Sequence, residues 1–191
     1  MRFRVVLAGL AALTLSACGL NSIPTAEETA KARWADVQNA YQRRADLIPN
    51  LVATVKGAGA QEKDILVQVT QARASANQVQ VAPGDLTDPA KVAAYQRAQA
   101  GVTLSLQRLQ EAYPELRSQA NYTTLMSQLE GTENRITVAR RDYNEAVQAY
   151  NTRIRTFPDA IGARVFYGAK PMTPFAAQAG AETAPKVDFG S

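Results

Sequence analysis

The chain has 191 residues, 46% of them hydrophobic and 20% charged, which suits one ordinary core and is too short for two comfortable domains. It contains no histidine, which removes the usual general base, the Ser-His-Asp and Cys-His arrangements, the ExxH pairs of di-iron bundles and most transition-metal sites. Its formal charge of +4 is spread as arginines among acids from Arg33 to Arg164, without a basic block or aromatic interleaving, so the footprint of a nucleic-acid binder is missing.

The chain starts with Arg2 and Arg4, an uncharged apolar run from Val5 to Leu15 and then small residues, the three-part layout of a secretory signal. The run is about eleven residues, roughly half a membrane span. Leu15, Ser16, Ala17, Cys18 and Gly19 resemble the lipobox of bacterial lipoproteins, in which the cysteine is diacylated and the chain is cut before it. Cys18 is the only cysteine, and consumption as a thioether explains a lone thiol in an oxidising compartment better than a free one does. The alternative is an ordinary cleaved signal. Residues 1–17 are thus read as a lipoprotein signal peptide and 18–25 as a lipidated tether. Removing the signal takes two arginines and no acid, leaving +2.

Thr25 with Glu28 three residues on has capping-box spacing, so the first helix is expected from Ala26 to about Lys56. Trp34, Val37, Tyr41, Ile48, Leu51 and Val55 recur at three- and four-residue steps, and Arg44 takes the missing slot. Pro49 lies inside this helix, but the stripe keeps its phase across it, which predicts one kinked helix rather than two. The second helix is expected from Gln61 to Gln80, with Ile65, Val69, Ala72, Ala76 and Val79 inward. Asp88 and Pro89 start a third helix of about 24 residues that Pro114 ends. The fourth carries Tyr122, Leu125, Leu129, Ile136, Tyr143, Tyr150 and Phe157 and should run until Pro158, on the order of 54 Å. The pattern predicts an all-α fold, an up-down-up-down antiparallel four-helix bundle over residues 26–157 with long first and last helices, and an irregular C-terminal segment over 158–191. Asp159 to Phe175 is apolar enough to lie along the bundle, and the last dozen residues are expected to be mobile.

The run RRADLIPNLVATV from Arg43 to Val55, TENRITVA from Thr132 to Ala139, DYNEAV from Asp142 to Val147, Tyr150, Asn151, Phe157, Pro158 and, near the end, Pro185, Lys186, Val187 and Phe189 resemble the LemA family of bacterial membrane-associated proteins. The resemblance implies an extracytoplasmic antiparallel helical bundle held to a membrane, with no established catalytic residues to carry over. Many members keep an apolar N-terminal anchor, where this chain exchanges it for a lipid on Cys18.

Counting from the far end of the bundle places Arg44 level with Thr132 and Glu133, which predicts a polar network of Arg44 with Glu133, joined by Asn134 or Asp46. Its structural reading is register specification; its functional reading is a polar ligand site. The helical tyrosines are read as core, with a sugar- or peptide-stacking groove as the alternative. Catalytic residues, metals and cofactors are not expected. The function expected is that of a lipid-anchored envelope protein with an interaction or scaffold role and a protein partner, facing the periplasm. Gly19 in place of an aspartate resembles lipoproteins sent to the outer membrane. The alternative is an envelope enzyme acting on peptide or glycan through carboxylates alone, among Glu62, Glu111, Glu130, Glu133 and Glu145.

Overall fold

The computed structural model describes residues 21–59 and 63–176, and among these every regular element is helical. Four long helices, α1 (Ser22–Gly57), α2 (Lys63–Gln78), α3 (Pro89–Ala112) and α4 (Ala120–Arg153), are followed by the single turn α5 (Asp159–Gly162). Short 3-10 turns over Pro83–Thr87 and Pro114–Ser118 lead into α3 and α4. Cys18 and the signal, the expected start at Gln61, Glu62, and residues 177–191 lie outside the described residues.

The first helix begins before its expected start. Thr25 is already inside α1, its hydroxyl donating to the Asn21 carbonyl at 2.7 Å instead of capping. Pro24 is tolerated because the first-turn amides have no intrahelical acceptor. Residues 22–25 of the expected tether are therefore helical. Asp88 does cap α3: its Oδ1 accepts from the amides of Ala90 at 2.9 Å and Lys91 at 3.3 Å, with Pro89 in the first turn.

Two apolar clusters fill the interior. At one end Ile23, Trp34 and Val37 of α1 meet Tyr95 of α3 and Tyr143, Val147 and Tyr150 of α4. At the other, Ile48, Leu51 and Val55 meet Leu66 and Val69 of α2, Leu106 and Leu109 of α3, and Tyr122 and Leu129 of α4. The start of α1 thus lies beside the end of α4, and this antiparallel pair is the most extensive helix contact, followed by α2 against α3. Pro49 interrupts the amide ladder without ending α1.

The fourth helix stops at Arg153, with Ile154 its last buried neighbour, and Phe157 is 82% exposed instead of inward. Pro158 disfavours helical backbone at the residue before it, so the chain leaves the helix early. After α5 a π-turn over Ala163–Tyr167 ends at Gly168, whose φ of 54° reverses the chain. Residues 169–176 then return along α4 as an extended strap. Ile161, Val165 and Phe166, expected to lie on the bundle, point away from it. No described helix is long and apolar enough to cross a membrane.

Candidate functional site

The largest buried polar group is Arg44, 1% exposed in the middle of α1. Its Nη1 donates to Glu133 Oε1 of α4 at 2.7 Å and to Thr103 Oγ1 of α3 at 2.8 Å. Its Nη2 donates to the Gln99 side-chain oxygen at 2.8 Å and to the Gln99 carbonyl at 3.0 Å, and the guanidinium stands over the Tyr41 ring at 5.0 Å. A planar fork is suited to this task, since its donors diverge in fixed directions and can engage two neighbouring helices together. Arg44 and Glu133 meet, as counting residues from the bundle end predicts.

Asp46 and Asn134 do not join them. Asp46 points outward one position too far round α1 and accepts from Gln42 Nε2 at 2.7 Å, while Asn134 is exposed at the lip of the α1–α4 and α3–α4 grooves. Their place is taken by Gln99 and Thr103, four residues apart on α3. Their spacing puts both on one helix face at the height of Arg44, a signal present in the sequence but not distinctive among other helical Gln and Thr.

Pro49 is exposed, and the carbonyl it deprives of a partner, that of Ala45, accepts from Arg73 Nε of α2 at 2.8 Å. Arg73 therefore replaces the missing helical amide. The tyrosines at 41, 95, 113, 122, 143 and 150 are all buried. Burial pushes the phenols of Tyr41, Tyr95 and Tyr143 above their ordinary value.

The strap is held by two side-chain amides seven residues apart on α4. Asn151 donates to the Met172 carbonyl at 2.8 Å and accepts from the Met172 amide at 2.8 Å. Asn144 does the same for Phe175, at 3.1 and 2.7 Å. Each asparagine thus pairs with the backbone as a neighbouring strand would. Tyr143 adds a bond to the Thr173 carbonyl at 2.9 Å, and the Thr173 amide donates to the Leu86 carbonyl at 2.8 Å. Phe175 inserts between Trp34, stacked at 5.6 Å, and Tyr143, edge-on at 5.5 Å, with Arg140 over its ring at 4.9 Å.

The model of the LemA family matches residues 33–189, from just before Trp34 to beyond the strap. The chain belongs to the LemA family. No curated protein matches it. In this LemA chain the matched region contains the Arg44 network, Pro49 with Arg73, and both asparagine clamps; Cys18 precedes it.

The carboxylates of the LemA chain are dispersed. Glu111 and Glu145 are exposed, and among the described residues no group of three His, Cys, Asp or Glu side chains could hold a metal. Glu130 and Glu133 do share a groove of about 440 Å³ between α3 and α4, with Thr103, Gln110 and Met126 in its walls. Of these two, Glu133 is tied to Arg44.

Proposed function

We propose that this LemA-family chain is a lipid-anchored envelope protein whose domain, an up-down-up-down four-helix bundle, has an interaction or scaffold role and performs no catalysis. It faces the periplasm, and Gly19 favours the outer membrane over the inner. The helix order is supported by the antiparallel α1–α4 and α2–α3 contacts and by α3 meeting α1 start to start.

The observation that carries the reading is what the polar interior is used for. All four N–H bonds of the Arg44 Nη atoms end on protein groups of α3 and α4, and the asparagine clamps end on the chain's own strap. These groups are spent on joining elements, which supports register specification over a polar ligand site. The anchoring half rests on the lipobox residues Leu15 to Gly19. Mass spectrometry of the N-terminal peptide from the membrane fraction tests it, with acylated Cys18 expected as the first residue. A water-soluble mature chain starting at Gly19 or later refutes it.

The second reading, a carboxylate-only enzyme on peptide or glycan, is favoured by the shared groove of Glu130 and Glu133. Against it, the Glu133 carboxylate is already engaged by the Arg44 guanidinium at 2.7 Å, a contact that joins α1 to α4. Incubation with peptidoglycan fragments, with Glu130→Gln as the control, distinguishes the readings: product release abolished by the substitution would establish the enzyme.

A further inference from the structure

The described chain carries one concentration of exposed apolar side chains. Phe157 is 82% exposed, Val165 and Phe166 each 69%, and Ile161 58%, with Tyr167 beside them. Phe157, Ile161 and Val165 follow one another at four-residue steps, with Phe166 next to the last. A soluble domain rarely leaves large side chains so grouped in water without using them.

Their position is fixed by contacts with the start of the domain. Ser22 donates to Asp159 at 2.8 Å, and Arg153 donates to the Ser22 carbonyl at 3.3 Å. Ala163 is buried in the same apolar cluster as Ile23 and Ile154. Ala169 closes the hairpin by donating to the Ala163 carbonyl at 2.9 Å, and the reversal at Gly168 sends the chain back up α4. The tip therefore projects from the end of the bundle at which residues 1–20 enter, and Cys18 is four residues from Ser22. Four residues of chain reach at most about 14 Å, at no more than about 3.5 Å per residue, which bounds the separation of a lipid on Cys18 from Ser22.

Charge agrees with the apolar pattern. Arg155, Arg164 and Lys170 are exposed around the tip. The nearest acids are engaged, Asp159 by Ser22 and Arg153, and Glu27 and Glu28 by Lys31.

We propose that this tip is a second membrane contact: Phe157, Ile161, Val165 and Phe166 enter the boundary between headgroups and acyl chains of the bilayer that holds Cys18, while Arg155, Arg164 and Lys170 meet anionic headgroups. The proposal deepens the anchoring reading and rests on it for the presence of a bilayer beside Ser22. The two contacts together fix the orientation of the bundle, standing it on the membrane with the end of α1 and the start of α2 outermost. A single flexible lipid tether would leave it free to tumble.

The test places an environment-sensitive dye on the full chain, purified from membranes and reconstituted into vesicles of phosphatidylethanolamine and phosphatidylglycerol. It is attached through Phe166→Cys or Val165→Cys at the tip, and through Val67→Cys as the control. Val67 is an exposed apolar residue that shares a groove with Lys56, and so lies near the far end of α1, on the order of 50 Å away. Quenching by lipids with nitroxides on their acyl chains is expected at the tip and at least about threefold weaker at the control. Tip dyes quenched no more than the control overturn the proposal, and so does a blue-shifted tip dye that lipid nitroxides do not reach, which would mean contact with protein. Mass spectrometry of Cys18 in the same preparation separates the two readings. Acylated Cys18 with an unquenched tip removes only the tip contact. Unacylated Cys18 with the tip quenched, measured as Cys18→Ser with Phe166→Cys, removes only the lipid anchor.

Discussion

Replacing Glu133 with leucine removes the only charged partner, among the described residues, of a guanidinium that is 1% exposed. Arg44 keeps Thr103 and Gln99, so three of its four bonds survive, but its charge then has only dipoles facing it. Breaking a fully buried pair costs about 3–5 kcal/mol. The Glu133 side chain is 40% exposed, so water can reach the place it leaves, and the expected cost falls to about 2–4 kcal/mol. For a domain of this size that corresponds to a fall in Tm of about 4–16 °C. Arg44→Met keeps most of the side chain's length and removes the buried charge together with its desolvation cost. It strands Gln99, whose carbonyl keeps its helical role, and is expected to cost about 1–3 kcal/mol. The double substitution removes both charges and should cost less than the two single losses combined, by about 1–2 kcal/mol. Urea denaturation of the four proteins gives the cycle. Additive effects, or a Glu133→Leu loss below about 0.5 kcal/mol, would show that the pair is a surface contact of the ordinary weak kind and would refute register specification by this network.

Asn151→Ala and Asn144→Ala each take two hydrogen bonds from the strap, and amide hydrogen exchange at Met172 or Phe175 respectively should accelerate about ten- to thirtyfold; unchanged exchange would mean that the strap is held by Phe175 packing alone. Arg73→Met should cost about 1 kcal/mol in the native chain and less in Pro49→Ala, where the restored amide can serve the Ala45 carbonyl; Pro49→Ala alone should gain well under the roughly 3 kcal/mol of a host-helix proline. Tyr122→Phe should leave Tm unchanged or raise it, because the Tyr122 hydroxyl is buried without a partner among the described residues, and a loss above about 1 kcal/mol would reveal a hidden bond. The phenols of Tyr41, Tyr95 and Tyr143 are raised by burial, so their contribution is complete below the unfolded value near pH 10 and is lost as pH climbs from there toward the native value; in a Tyr167→Phe background, which removes the exposed phenol of the tip, the tyrosinate absorbance of these three should therefore appear together with loss of helical circular dichroism, not before it.

Helices were legible because each buries one stripe, and a stripe leaves a period in the sequence. The stripe of α1 survives Pro49 because its phase depends on side-chain spacing, which one missing amide does not change. Height matching found Glu133 because antiparallel helices of equal rise can be registered by counting alone. Side-chain direction was less accessible. Asp46 and Asn134 are one or two positions from the inward slots, and on a helix each position turns the side chain by about 100°. Glu133 reaches Arg44 from the edge of α4, whereas Asn134 faces outward.

That the chain up to Phe175 lies along the bundle was legible from its apolar content, but the partners of the strap were not, for a different reason. An extended segment with no neighbouring strand has no period that marks its partner, and its backbone groups must be satisfied by whatever side chains the helix offers. Asn144 and Asn151 meet that requirement because seven residues are two helical turns, about 10.5 Å, and three extended residues from Met172 to Phe175 span about 10 Å. The match of these lengths lets two amides serve two backbone positions without either chain bending. It also closes the chain topologically: the strap ties α4 to the Leu86 turn before α3 and to Trp34 of α1, across the cluster beside the exposed apolar tip. The tip is thereby held between the α4 end and the strap at both of its own ends. An apolar hairpin so braced resists collapsing onto the bundle to hide its side chains, which is why Phe157, Val165 and Phe166 remain outward, as the proposed bilayer contact requires.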